Sequence, residues 1–415
     1  MDECLLAAQK AELSDAADSR TSRSFLQSLF REPLIAGVRL INATKGKAVP
    51  RACRPETAML IGHSCPRVLV KFLHAPLLMV SLTGTLDVPH ASAGELPADT
   101  SLIESLTPKQ AEALAQRDRN LDLDGLTEMS AETAQRLAQH KGNLYLNGLT
   151  TLSEEVARAL AEHEGALLLD GLTTLSDETA KALSKYKGFL HLSGVTTLSD
   201  EAIVFLAQSN CRFLGLSGLT AISDEVAGAL ARHEGGLSLS GLATISDNAA
   251  HSLGQHSGVL NLNGLTTLSD EAARSLGQHS GVLNLKGLET LSGDAATALA
   301  RHTGDFSLGG LKMLSPEVAK ALAAAEKWDG RLLRITAFDS PDSVAIAKAL
   351  ATRKGTLALP NLKKLSPKTL LALIEKEDIE IPLVETLELI DEPDGSSGDD
   401  FVIPESFQKR QQLQK

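Results

Sequence analysis

Histidine recurs along this chain at intervals that invite a chemical reading. His140, His163, His233, His256, His279 and His302 each stand ten residues after a serine, and Tyr186 and Ser209 fill the same slot elsewhere. Imidazole is the side chain whose unperturbed titration falls near neutrality, so such a column could sense pH or line up metal ligands. A metal site of the zinc type needs three or four converging donors. A column copied by duplication instead spaces its members about 5–10 Å apart in a line. The pattern points to capping, in which a histidine in the last helical turn donates to free carbonyls at the negative end of the helix dipole. On that reading, charging neighbouring histidines below about pH 6 loosens the structure.

Other chemistry is sparse. The four cysteines, Cys4, Cys53, Cys65 and Cys211, form no CxxC pair and no disulfide ladder. Cys211 reads as a buried, inert thiol. No GxSxG, HExxH, P-loop or dinucleotide fingerprint is present. Paired acids such as Asp177-Glu178 recur with the serines and read as first-turn residues, not as acid–base machinery. The sequence therefore implies no enzyme, no cofactor and no metal centre.

The elements that hold the histidines repeat with them. Ser130, Ser153, Ser176, Ser199, Ser223, Ser246, Ser269, Ser292 and Ser315 follow one another at 23 residues, with one interval of 24. Thr107 precedes the series by 23, and Ser343 and Ser366 continue it after a longer unit that holds the only tryptophan, Trp328. Ser252–Leu262 and Ser275–Leu285 both read SLGQHSGVLNL. Such periodicity decides the fold class before any local reading. Within a unit, Leu144-Tyr-Leu146 or Leu237-Ser-Leu239 alternates as a short strand. A glycine (Gly148, Gly171, Gly194) turns the chain where a side chain would not fit. The serine caps a helix of about ten residues, and a second glycine (Gly142, Gly165, Gly188) closes it. A unit this small cannot bury its own leucines, so the units must stack into a solenoid.

The phrase L-x-L-S-G-L-T-T-L-S-D-E-x-A-x-A-L-A resembles the leucine-rich-repeat family over roughly residues 100–390, closest to its cysteine-containing and GALA-like subtypes, with units shortened to 23 residues. That resemblance implies an α/β horseshoe, with short parallel strands on the concave face and helices on the convex face. Gly-Leu or Gly-Val replaces the family's asparagine or cysteine after the strand, so a continuous ladder of those residues is not implied. The Thr-Thr and Ser positions are left to hold the turns.

Strands sit about 4.8 Å apart and packed helices about 8–10 Å apart, so the stack bends with the strands inside. About twelve strands make an inner face of order 55 Å, a size for a macromolecule. The residues that alternate with the buried leucines point onto this face. Tyr145, Leu168, Phe189, His191 and Phe213 fall on neighbouring units and form the candidate partner-binding patch, in a chain only 3% aromatic. The alternative is that Phe189 and Phe213 tuck into the core in place of the family's missing first leucine.

The net charge of −12 argues against a nucleic-acid or anionic-membrane binder, and the 43% hydrophobic fraction against global disorder. Residues 1–93 lack the repeat. Arg67 and Lys71, the apolar run Phe72–Leu82 and the small-x-small Ala91-Ser-Ala93 read as a signal peptide over 59–93. Residues 1–58 would then belong to an over-extended gene model or be disordered, with the mature chain starting near Gly94. An uncleaved membrane anchor over 66–88 and a structural cap on a cytoplasmic protein are the alternatives. Residues 94–390 are the solenoid of about twelve repeats, and 391–415 an acidic linker and polar tail, both expected to be disordered. The expectation is an exported, non-catalytic protein that binds another protein along its concave face, with no nucleic-acid or small-molecule partner. A self-associating envelope protein and an intracellular adaptor of the ubiquitin-ligase or effector kind are the other readings.

Overall fold

In a computed structural model the chain is described over residues 96–97, 99–392 and 402–412. The segments read above as gene-model extension and signal peptide lie outside these residues. Strands and helices alternate. Nine strands, β1 (Leu121–Asp122), β2 (Leu144–Tyr145), β3 (Ala166–Leu168), β4 (Phe189–His191), β5 (Phe213–Gly215), β6 (Gly236–Ser238), β7 (Leu260–Asn261), β8 (Leu283–Asn284) and β9 (Phe306–Ser307), form one parallel sheet in sequence order. The register never slips: Leu121, Leu144, Leu167, Leu190, Leu214, Leu237, Leu260 and Leu283 pair in succession. Helices α1 (Pro108–Ala115), α2 (Ala131–Leu137), α3 (Glu154–Leu160), α4 (Asp177–Leu183), α5 (Asp200–Ala207), α6 (Asp224–Leu230), α7 (Asp247–Leu253), α8 (Asp270–Leu276), α9 (Gly293–Leu299), α10 (Pro316–Ala324), α11 (Ser343–Ala351) and α12 (Pro367–Ile374) pack each on the next. This is an α/β leucine-rich-repeat solenoid.

The helices are mostly seven residues long, shorter than expected, and their starts are chemically uniform. Thr107, the nine serines of the 23-residue series from Ser130 to Ser315, and Ser366 accept the backbone N–H three residues on. Ser343 departs from the rule: it begins α11 itself, and its Oγ accepts the Ser340 N–H at 3.0 Å. The same serines bind neighbouring repeats. Ser199, Ser246, Ser269 and Ser292 donate their hydroxyls to Asp177, Asp224, Asp247 and Asp270 of the preceding helix start. The first-turn acids thus serve as inter-repeat acceptors as well as favouring the helix dipole. The Thr-Thr pairs, such as Thr150-Thr151 and Thr173-Thr174, are exposed. Thr266 links repeats through its backbone, donating to the Ala243 carbonyl at 3.3 Å and accepting from the Glu289 N–H at 3.0 Å.

Both glycine columns owe their identity to the neighbouring repeat. The helices end before the second glycine, on residues such as Ala161 and Ala231 in right-handed geometry. A Cβ on Gly165 would collide with the Gly142 carbonyl, and one on Gly304 with that of Gly281. The expected helix-closing role is therefore replaced by backbone-to-backbone approach between repeats.

The long unit interrupts the sheet. Trp328, 1% exposed, bridges from Phe306, and Gly330 takes φ +72°. Beyond it β11 (Leu357–Ala358) pairs with β13 (Ile379–Glu380), while β10 (Ala337–Phe338), β12 (Lys364–Leu365) and β14 (Glu388–Leu389) make a second ladder. The tail, expected to be disordered, forms helix α13 (Glu405–Gln412) from residues whose average polarity hides one anchor. Phe407 is 3% exposed in the core, Arg410 lies 5.2 Å over its ring, and Gln411 takes the Val384 N–H at 3.0 Å.

An eight-residue helix is marginal on its own, so Phe407 should hold it. Phe407→Ala is expected to release α13 to proteases at residues 402–412 while the solenoid melts within about 2 °C of the parent. Unchanged protection of the tail by mass-spectrometric mapping would contradict this.

Candidate binding surface

The strand positions between the buried leucines face away from the core. On β4, Leu190 is buried while Phe189 and His191 are half-buried, and β3 repeats the pattern with Ala166 and Leu168 around Leu167. Tyr145 pairs with Leu168, Leu168 with His191, and Phe189 with Phe213. The five candidate residues thus occupy four consecutive strands, β2 to β5. Neither Phe189 nor Phe213 joins the buried core or packs against it from the helix side. The tucked-in alternative therefore does not describe them. Their rings lie on the sheet face instead: Phe213 sits 5.3 Å from the His191 ring and reaches over Gly236, where a Cβ would come 2.8 Å from its Cδ2. Burial pushes the His191 imidazole below its ordinary value, with Asp170 pulling the other way.

The same face is closed in its second half. From β6 onward Ser238, Asn261 and Ser307 are buried at the matching positions and Asn284 is half-buried, and hydroxyls and amides bond one another there. Ser217 meets Ser238 at 2.9 Å, Asn284 donates to Asn261 at 2.5 Å, and Ser307 donates to Asn284 at 2.9 Å. Apolar, unsatisfied surface is left at β2–β5.

In place of a continuous asparagine or cysteine ladder, an interrupted one of mixed residue types runs along the rim. The Asn147 N–H donates to Asp124 at 3.0 Å, Asp170 N–H to Asn147 at 2.9 Å, Ser193 N–H to Asp170 at 2.7 Å and Lys286 N–H to Asn263 at 3.1 Å. A second row joins the Asn143 N–H to Asn120 and the Ala166 N–H to Asn143. The residue before the Gly-Leu therefore does the stapling at Asp124, Asn147, Asp170 and Asn263, using carboxylates as well as amides. The mixed residue types concealed it.

The histidine column lies inside the stack. His140, His163, His233, His256, His279 and His302 are at most 4% exposed. His140, His163 and His233 place Nδ1 3.3, 3.4 and 3.3 Å from the carbonyls of Ala115, Ala138 and Ala207, at the end of the preceding repeat's helix. These three cap between repeats and not within one. His302 meets the Gly281 carbonyl at 3.0 Å through Nε2, while the ring nitrogens of His256 and His279 have no hydrogen-bond partner and those rings are held by stacking. The slot accepts other donors: Tyr186 donates to Gly165, Arg353 to Ala325 at 2.8 Å, and Lys376 to the Arg353 carbonyl at 2.6 Å. Arg353 and Lys376 stand ten residues after Ser343 and Ser366, a continuation that a search for histidine alone passes over.

The rings form stacks, His140 on His163 at 6.4 Å, His256 on His279 at 5.9 Å and His279 on His302 at 5.6 Å. Among the described residues no three His, Cys, Asp or Glu side chains converge for a metal ion. Cys211 is buried, 3.7 Å from His233 Nε2, and desolvation pushes its thiol up to about 11. That keeps it protonated and unreactive.

No family model matches the chain, and no curated protein sequence does. The solved structures that resemble it include a leucine-rich-repeat protein of Leptospira interrogans, at 15% identity over 70% of this chain and 95% of that one, with a TM-score of 0.34. An internalin of Listeria monocytogenes aligns at 12% identity over 67% of this chain and 89% of that one, with a TM-score of 0.38. The Rad7–Elc1 complex of yeast contains a chain that aligns at 16% identity over 69% of this chain and 84% of that one, with a TM-score of 0.42. The fold assignment rests on the strand order, register and repeated helices of this chain itself. Among the described residues no helix is long and apolar enough to cross a membrane; the segment 66–88 lies outside them.

Proposed function

We propose that this chain is a non-catalytic binding scaffold that docks another protein on the β2–β5 half of its sheet face. One observation carries the reading: Tyr145, Leu168, Phe189, His191 and Phe213 lie together outside the core, where the rest of that face is closed by hydrogen-bonded Ser and Asn. Half-buried aromatic and aliphatic clusters on a sheet face can anchor a partner, and a few such residues supply most of its binding energy. The rigid stack would present them at low entropic cost, since the strands do not need to order on binding. Export, directed by residues 59–93, belongs to the same proposal, as does kinship with the GALA-like or cysteine-containing subtypes.

The test is cross-linking at the face. A photo-reactive group at Ser193, beside the patch, should trap a partner in extract of the native cells. The yield should fall at least about ten-fold with Tyr145→Ala and Phe189→Ala together. Equal trapping by parent and double variant, with both folded by circular dichroism, would remove the patch from the function. N-terminal sequencing of the native protein checks export, for which a start near Gly94 is expected.

A further inference from the structure

The open half of the face carries charge of one sign. From each strand to the residue before the following glycine, β1 to β5 hold Asp122, Asp124 and Asp170 and no lysine or arginine, and the exposed Arg212 lies just ahead of β5. Asp122 and Asp124 are exposed and Asp170 half-exposed. None of the ion pairs among the described residues uses these three carboxylates. Their bonds are to neutral groups: Asp122 takes the Asp124 N–H at 3.2 Å, Asp124 the Asn147 N–H and amide, and Asp170 the Ser193 N–H. These bonds thus hold three carboxylates, none of them in an ion pair, beside Tyr145 and Leu168, with Phe189 and Phe213 two strands further along.

We propose that the face takes an extended polypeptide segment in which lysine or arginine stands beside large apolar side chains. The basic residues lie over Asp122, Asp124 and Asp170, and the apolar ones over Leu168, Phe189 and Phe213. The inference rests on the docking face proposed above and names its partner's chemistry. Four strand spacings separate β1 from β5, about 19 Å, which an extended segment of about six residues crosses. An acidic segment would meet like charge, and a purely apolar one would leave the carboxylates without counter-charge.

The charges can be removed without dismantling the ladder. Asn147 and Asn263, in the same column, already accept the next repeat's backbone N–H through a neutral amide. Asp122→Asn, Asp124→Asn and Asp170→Asn together should therefore keep the fold. The probe is a random heptapeptide display library panned at low salt on the full-length chain, with selected peptides resynthesised and titrated by fluorescence anisotropy.

Selected sequences are expected to pair Lys or Arg with Leu, Phe or Trp. They should bind the triple Asn variant about ten-fold more weakly with a flattened salt dependence, and fail to bind Phe189→Ala/Phe213→Ala. Binders that need Phe189 and Phe213 but show no basic enrichment, or are unmoved in the triple variant, overturn the inference and leave the docking face standing. Binders indifferent to both variants, or none at all, overturn both.

Discussion

Gly171→Ala is expected to destabilise the solenoid by about 3 kcal/mol, at the upper end of what overpacking costs. A Cβ on Gly171 would overlap the carbonyl oxygen of Asn147 and come within 3.0 Å of that of Leu149. Both obstacles are backbone, so no side chain can swing aside. Asn147 is itself held by the rim ladder, accepting from Asp170 and donating to Asp124. Relief requires the β2 and β3 repeats to part, and in a linear stack that damage stays at one interface. Hydrogen exchange should show faster opening of the turns around Gly148 and Gly171 and little change near Ser307. Gly228→Ala is the matched control. It lies inside α6 with only Ser252 Oγ near, at 3.9 Å, so alanine there should stabilise by about 0.5–1 kcal/mol. Equal melting of Gly171→Ala and the parent would show that the repeats are not packed backbone to backbone here.

That contrast shows which parts of the architecture the sequence makes legible. Serine spacing, alternating leucines and the acids after each serine are local signals. They locate the strands and helix starts because capping and alternation depend on a few consecutive residues. What escaped is what neighbouring repeats do to each other. A glycine column reads equally well as a helix stop and as a close approach, and only the placement of Gly165 against Gly142 separates them. The rim ladder is hidden because Asp124, Asn147, Asp170 and Ser193 look like drift in composition until their main-chain partners are seen. Alternation alone reaches Tyr145, Leu168 and His191, whereas Phe189 and Phe213 read equally well as core, and the closing of the other half of the face depends on Ser and Asn pairing across strands. Phe407 was lost in a polar tail because one anchor does not shift an average.

Acid should loosen the solenoid from its histidine stacks outward, and this is the second large effect expected. Burial holds the imidazoles of His163, His233, His256 and His302 below their ordinary value of 6.5, and lowers that of His279 to about 4. The nearby Glu234 and Asp305 carboxylates oppose the shift at His233 and His302, while flanking histidines reinforce it at His279. Above pH 6.5 both folded and unfolded chains keep these rings neutral, and the stacking is at full strength. As pH falls from 6.5 towards 4 the unfolded chain takes up protons that the folded one refuses. Stability then drops by up to about 1.4 kcal/mol per pH unit for each such ring. Melting should fall by about 5–10 °C between pH 7.5 and pH 5. His256→Gln, His279→Gln and His302→Gln together should flatten that slope, because glutamine does not titrate. Parallel pH profiles for parent and variant would assign the acid sensitivity to carboxylates instead. Tyr186, Arg353 and Lys376 show that the slot needs only a donor. Histidine adds titration to it, at His163 and His233 as well as along His256–His302.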